Sequence, residues 1–149
     1  MTFESSTLIL GEPWALIDFL SNLDEGTRYR DWCPHDHISI QRLKVNDSVF
    51  RFVERIGNRR IALRFRIARR GKMCLEFYPT GIAGYLRLGH ARYEFVPEGG
   101  KWRMISTLRI GTSRSWDRCC VRLVVDPLDL AAHLAHEERF LSRYSRTPT

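Results

Sequence analysis

Apolar and polar residues alternate over residues 37–110, with turn residues between the alternating runs. A period of two is typical of β-strands, whose successive side chains point to opposite faces. One run places four residues on the same strand face: Phe50, Phe52, Glu54 and Ile56. Turn signals at Gly57-Asn58 and Gly99-Gly100 separate the runs. The pattern therefore predicts about five or six consecutive antiparallel strands with no helix between them.

Helical spacing appears at both ends of the chain. After a first strand over residues 2–10, Pro13 opens a helix that we expect to end at residues 24–26. Residues 116–125 are compatible with either a strand or a helix. Asp126 and Pro127 then supply an N-cap and a first-turn proline for a helix that extends to about Tyr144. This order predicts an α+β fold in which a curved antiparallel sheet wraps around the long C-terminal helix and leaves a cavity.

The composition is that of an ordinary globular domain. With 149 residues, of which 44% are hydrophobic and 28% charged, the chain is predicted to form one domain over residues 1–149. Such a length buries enough surface to be stable without disulfides or a structural metal. No apolar run is long enough to span a membrane, and the N-terminus lacks the pattern of a signal peptide. We therefore expect a cytoplasmic protein.

Cysteine spacing and charge exclude two further classes. The four cysteines form no CxxC pair, which suits neither a disulfide framework nor a zinc knuckle, so we expect reduced thiols. The net charge is +7, but the basic residues are spread along the chain rather than clustered. This distribution argues against nucleic-acid binding. The oligomeric state is left open, and a homodimer is compatible with the sequence.

Two ionisable residues fall within the apolar stripe of the predicted C-terminal helix. His133 and Glu137 are one turn apart, among the apolar positions Leu130, Leu134, Leu141 and Tyr144. A carboxylate in an apolar cavity requires a proton, a cationic partner or a metal ion. The simpler interpretation is a His–Glu pair that satisfies itself at the rim of the helix.

A strand and a loop offer further donors to the same cavity. Glu54 shares a face with core residues, although it could instead pair with an arginine near the end of the sheet. Residues 29–37 contain two aromatic residues, a proline and two histidines, and we expect them to form a stiff loop. Either His35 or His37 could point into the cavity, with Asp36 or a backbone carbonyl fixing the tautomer. The alternative is a packing loop with exposed histidines.

Together these segments provide two imidazoles and two carboxylates, from His37, Glu54, His133 and Glu137. This donor set suits zinc, and iron and manganese are compatible with it. Structural zinc sites usually recruit thiolates, whereas a mixed nitrogen and oxygen site in a cavity is typical of catalysis.

Three short segments resemble a known family. They are Tyr29 with Trp32-x-Pro-x-Asp-His37, the strand end from Val53 to Gly57, and His133-x-x-x-Glu137-Glu138. They resemble the 2,4-diacetylphloroglucinol hydrolase and phloretin hydrolase group of the SRPBCC (START/Bet v1-like) superfamily, and the element order is similar from end to end. The resemblance implies a helix-grip fold and zinc-dependent cleavage of a carbon–carbon bond between an aromatic ring and an acyl group.

Particular residues follow from the same resemblance. It implies that zinc is held by His37, Glu54, His133 and Glu137, and that Tyr29 and His90 are catalytic. The implied substrate is a phenolic or polyketide-like ketone. Two alternatives remain open: a non-catalytic protein that contains a hydrophobic or aromatic small molecule, and a metal-free polyketide cyclase or aromatase.

Overall fold

The computed structural model describes residues 1–23, 27–43, 48–81, 89–111 and 125–144. Within these ranges the chain forms seven strands and three helices. The strands are β1 (Thr2–Ile9), β2 (His37–Arg42), β3 (Val49–Ile56), β4 (Arg59–Arg69), β5 (Cys74–Pro79), β6 (His90–Glu98) and β7 (Lys101–Arg109). The helices are α1 (Trp14–Ser21), α2 (Thr27–Trp32) and α3 (Pro127–Tyr144).

All seven strands join one antiparallel sheet in the order β1-β7-β6-β5-β4-β3-β2. Strands β2 to β7 pair with their neighbours in chain order, as predicted, and β1 adds a seventh beside β7. Residues 82–88, between β5 and β6, lie outside the described residues. The turn from β3 to β4 is Gly57-Asn58, and Gly57 has a φ of 58°. A side chain at Gly57 would also collide with Asp129 at the start of α3. Glycine is therefore required there for two independent reasons.

The C-terminal helix forms as the sequence predicts. Asp126 accepts a hydrogen bond from the Leu128 N–H at 2.8 Å, and Pro127 occupies the first helical position. The buried face of α3 consists of Leu130, His133, Glu137 and Leu141. Because α3 contacts β1, β3 and α2, this face is held against the sheet. The α+β helix-grip arrangement is confirmed.

The first helix is shorter than predicted. It ends at Ser21 because Asn22 leaves the helical conformation and caps the carbonyl of Asp18. The buried residues of α1 are Leu16, Ile17, Phe19 and Leu20, and Phe19 packs against Tyr144 with ring centroids 4.5 Å apart. Burial of each such side chain adds roughly 1.5–3 kcal/mol to the free energy of unfolding. The contact between Phe19 and Tyr144 therefore holds the C-terminal end of α3 against the core.

The structure corrects the prediction of a loop over residues 29–37. Helix α2 extends to Trp32, and only residues 33–36 connect it to β2. The helical turn brings Tyr29, Trp32 and Cys33 onto one buried face, at the spacing of three and four residues that such a face requires. Residues 116–124, which were compatible with a strand or a helix, lie outside the described residues.

Two composition-based expectations can be compared with the described part of the chain. Cys33 and Cys74 are free thiols there, as predicted. None of the helices in the described ranges has the length and apolarity needed to cross a bilayer.

Candidate metal centre

Four side chains from three elements lie close together between the sheet and α3. His37 begins β2, Glu54 lies on β3, and His133 and Glu137 lie on α3. One potential ligand atom from each residue lies within 4.8 Å of the other three. Glu137 Oε1 is 3.0 Å from His37 Nε2 and 3.4 Å from His133 Nε2, while Glu54 Oε2 is 3.6 Å from His133 Nε2. The structure therefore brings together all four residues that the sequence singles out as ligands.

A bulge at the start of β2 turns the side chain of His37, rather than that of His35, toward the cluster. The regular register pairs Ser39 with Val53 and Ile40 with Phe52, but the register then shifts so that His37 lies opposite Glu54. Regular alternation from the inward-facing Ile40 would turn His37 outward, and the bulge turns it inward instead. His37 is 2% exposed, whereas His35 is exposed, so His37 supplies the imidazole of the cluster.

Both imidazoles are oriented by an acceptor behind them. His37 Nδ1 lies 3.1 Å from the carbonyl oxygen of Tyr29, and His133 Nδ1 lies 3.1 Å from Asp36 Oδ2. A carbonyl and a carboxylate only accept, so each Nδ1 carries the hydrogen. In the neutral ring the Nε2 lone pair then faces the carboxylates. Such an arrangement requires a proton on each Nε2 or a cation between the groups.

The charges of the cluster shift its pKa values strongly. Burial lowers the pKa of both imidazoles, but the hydrogen bonds and negative charge of Glu137 outweigh burial and raise both values, that of His133 to about 10. Burial also raises the pKa of Glu137, and the neighbouring charge of His133 reverses this and lowers it to about 2. Without a metal, a protonated His133 thus lies against the Glu137 carboxylate, and the same carboxylate favours the protonated form of His37.

The donor set fits a divalent metal ion. Ligand bonds of about 2.0–2.2 Å in a tetrahedral site imply donor separations of roughly 3.2–3.6 Å. Three of the six separations are 3.0, 3.4 and 3.6 Å, and all six lie within 4.8 Å, so some of the donors would close in by up to about an ångström around an ion. Two imidazole nitrogens and two carboxylate oxygens suit zinc, iron or manganese. The acceptors behind both rings are the outer contacts that metal-ligating histidines almost always make.

Tyr29 contacts two of the four clustered residues on the side that faces away from the cavity. Its hydroxyl donates to Glu54 Oε1 at 2.8 Å, its ring stacks on His37 with centroids 4.2 Å apart, and its carbonyl accepts from the same histidine. The side chain is fully buried and is not part of the cavity wall. Burial, reinforced by Glu54, raises the pKa of Tyr29 far above its usual range. Tyr29 therefore stays protonated and keeps Glu54 Oε2 directed at the other ligands.

His90, the second residue implied as catalytic, is not near the cluster. On β6 the neighbouring Ala91 pairs with the inward-facing Phe77, so His90 faces the opposite side of the sheet. There it stacks on Tyr78 and lies 3.9 Å from Glu76. This placement corrects the implied role, because the sheet separates His90 from the cavity.

The cluster forms part of the wall of an apolar cavity between the sheet and α3. The space between its walls, including the part that is open to solvent, amounts to about 910 Å³. Glu54, His133 and Glu137 line it. Most of the remaining wall is apolar or aromatic, including Trp32, Phe52, Phe65, Phe77, Tyr93 and Leu130. An aromatic molecule in this space would meet the charged cluster on one side.

The sequence names Asp36 as a possible partner of His37, but the structure gives that place to the Tyr29 carbonyl, and Asp36 orients His133 on α3 instead. One residue of the site, Tyr93, is missing from the sequence prediction. Tyr93 lines the cavity, and burial, followed by the charge of Glu137, raises the pKa of Tyr93 well above its usual value. Its alternation with Phe95 on β6 is the signal that could have identified it as inward-facing.

Replacing Asp36 by Ala should weaken zinc binding by roughly 10–100-fold, because His133 loses the acceptor that fixes its tautomer and ring orientation. Zinc affinity would be measured by competition with a chromophoric chelator. His136→Gln is the matched control, since His136 also contacts Asp36, at 3.6 Å, but is mainly exposed and holds no ligand in place. Equal affinities of wild type and Asp36→Ala would contradict the role of Asp36.

Comparisons with known proteins support the fold. No protein-family model matches the chain, and no curated protein is similar in sequence. Among solved structures, the protein KanY has a TM-score of 0.75 at 13% identity, with 99% of this chain and 98% of that chain covered. A START superfamily protein from Mycobacterium smegmatis has a TM-score of 0.70 at 12% identity, with 97% of each chain covered.

A third similar structure is a di-domain aromatase/cyclase, BexL, from the BE-7585A biosynthetic pathway. Its TM-score is 0.66 at 15% identity, and the match covers all of this chain and 51% of BexL. The chain therefore spans about half the length of that protein. These similarities define a START/Bet v1-like helix-grip fold, as the sequence predicts, and at such identities they concern the fold alone.

Proposed function

We propose that the protein is a metal-dependent hydrolase of a phenolic or polyketide-like ketone. The observation that carries this proposal is the convergence of four donors in one wall of an apolar cavity, with both imidazoles oriented from behind by acceptors. A His–Glu pair that only satisfied itself would need neither the second histidine nor the second carboxylate. The resemblance of the three short motifs supports the same reaction class.

His37, Glu54, His133 and Glu137 would hold the metal. When bound, a zinc ion supplies Lewis acidity toward a carbonyl or phenolic oxygen and lowers the pKa of water. The remaining residues bind and orient the substrate. Phe52, Phe65 and Phe77 offer an apolar surface for an aromatic ring, and the protonated hydroxyl of Tyr93 is available to hydrogen-bond a ligand oxygen. Tyr29 positions Glu54 and His37 and does not contact the substrate.

Elemental analysis tests the metal directly. Protein purified without chelator should contain close to one equivalent of a transition metal, and acyl-substituted polyphenols supplied to it should release a carboxylic acid. Glu137→Ala should abolish both results, whereas Glu138→Ala should retain both, because Glu138 is directed at Ser5 rather than at the cluster. A metal content below a few tenths of an equivalent would count decisively against the proposal.

The structural comparisons favour a second candidate. BexL is described as an aromatase/cyclase, and the cavity described above would also suit a polyketide-like substrate in a metal-free reaction. In that case turnover would persist in the presence of a chelator. A non-catalytic container is the third outcome, and it would be recognised by a co-purified aromatic ligand without metal and without turnover.

A further inference from the structure

Among the described residues, a group of arginines without a carboxylate partner lies on the outer face of the sheet, opposite the cavity, and one of them, Arg66, lies over the ring of Tyr78. The group consists of five exposed side chains on β3 and β4, here named the arginine face: Arg51, Arg55, Arg60, Arg64 and Arg66. The inward neighbours on these strands are Phe50, Phe52, Ile61 and Phe65, so alternation fixes the arginines outward. Sequence spacing did not reveal this cluster, because the five residues are separated by apolar positions.

The strand register places like charges directly against each other. Arg51 is opposite Arg64, and Arg55 is opposite Arg60. Directly opposed like charges destabilise an antiparallel pair. Between the two pairs lie Val53 and Ala62, which cannot neutralise them. The sheet therefore carries an unfavourable arrangement twice in the same hairpin.

Other arginines of the same outer face are neutralised. Arg70 pairs with Glu76, Arg92 with Glu94, and Arg103 with Glu98. Among the described residues, none of the five members of the arginine face forms an ion pair with a carboxylate. The carboxylates of this surface are thus already engaged by other arginines, and the arginine face keeps its full charge for an external anion.

We propose that the arginine face docks an acidic segment of a partner protein. Guanidinium groups bind carboxylates through two parallel hydrogen bonds, and 21 of the 24 basic residues of the chain are arginine. The complementary charge on the partner would relieve the repulsion within each opposed pair. Because the face lies outside the sheet, docking does not depend on the proposed metal chemistry.

Two other anionic partners fit the surface less well. Duplexes are bound by elements that enter a groove and single strands by exposed aromatic platforms, and the outward side chains of β3 and β4 include no aromatic ring. The nearest aromatic ring, Tyr78, is engaged by Glu76, by His90 and by the guanidinium groups of Arg66 and Arg70. An anionic membrane would be contacted by large apolar side chains beside the charges, and β3 and β4 themselves expose no large hydrophobic side chain.

Binding of fluorescein-labelled poly-L-glutamate at low ionic strength tests the proposal. The double variant Arg51→Gln, Arg64→Gln should bind about tenfold more weakly than wild type, and so should Arg55→Gln, Arg60→Gln. The matched control is Arg92→Gln, Arg103→Gln, which removes the same charge from arginines that already have partners and should change binding less than about twofold. Both test variants should also unfold at a higher temperature, since repulsion within the sheet is removed.

Several outcomes would overturn the proposal. Equal weakening in the control would mean that only net charge matters. Absence of binding by wild type would exclude an acidic segment as the partner. Tighter binding of a DNA duplex, or of vesicles of phosphatidylserine and phosphatidylcholine, would assign the face to a different class of partner. Metal content and turnover should be the same in all these variants, so failure of this proposal is distinguishable from failure of the proposed hydrolase.

Discussion

Replacing Glu137 by Gln should release the metal and lower the free energy of unfolding of the metal-free protein by about 3–5 kcal/mol. Oε1 of Glu137 lies between the two Nε2 atoms, at 3.0 Å from His37 and 3.4 Å from His133. A neutral amide cannot balance the positive charge of the buried His133 or accept from two protonated rings, and the two histidines are only 2% and 5% exposed. Metal affinity should fall by more than the roughly 100-fold that loss of an outer contact can cost.

The measurements are urea denaturation in the presence of a chelator and competition for zinc. Glu138→Gln is the matched control, because Glu138 is the adjacent residue on α3 and its carboxylate bonds to Ser5 near the surface. Its effect should stay within about 1 kcal/mol. If Glu137→Gln left both the denaturation midpoint and the zinc affinity unchanged, the cluster would not be a metal site.

Zinc uptake by the chelator-treated protein should release at least one proton at pH 7. The pKa of His133 is raised to about 10, so its ring carries a proton on Nε2 before the metal arrives, and the pKa of His37 is raised as well. Metal ligation requires the Nε2 lone pair. The apparent affinity should therefore rise with pH, about tenfold per unit for each ring that is still protonated. Calorimetry in buffers of different ionisation enthalpy measures the number of protons released.

The same pKa shifts determine how the metal-free protein responds to pH. His133 has a raised pKa, so its contribution to stability is fully present below the usual value of 6.5 and is lost as pH rises through about 10. Glu137 has a lowered pKa, so its contribution is present above the usual value of 4.5 and is lost as pH falls toward about 2. Zinc enthalpies that did not depend on the buffer would contradict protonated imidazoles.

The sheet and the long helix could be predicted because their patterns are regular. Alternation on β3 placed Glu54 inward, and the Gly57-Asn58 turn leaves the register of the β3–β4 hairpin intact. Helical periodicity on α3 placed His133 and Glu137 on the buried stripe. These predictions depend only on local geometry, so they did not require knowledge of the rest of the chain.

The remaining parts depend on irregular or short elements. Helix α2 has six residues, too few for a periodic pattern to be recognised. The choice between His35 and His37 depends on a bulge, which alternation alone cannot anticipate. The face of His90 could have been derived, because the inward-facing Tyr93 and Phe95 place even-numbered residues of β6 on the other side. For His90, the role implied by the family resemblance conflicts with the strand alternation, and the structure agrees with the alternation.

The bulge at the start of β2 lets this strand change length without losing the imidazole. In a regular strand, removing one residue moves every residue beyond the deletion to the other face. The pairs on either side of the bulge, His37 with Glu54 and Ser39 with Val53, are already those of a regular ladder. Removing Ile38 would therefore remove the bulge and leave His37 opposite Glu54 on the inner face of the sheet.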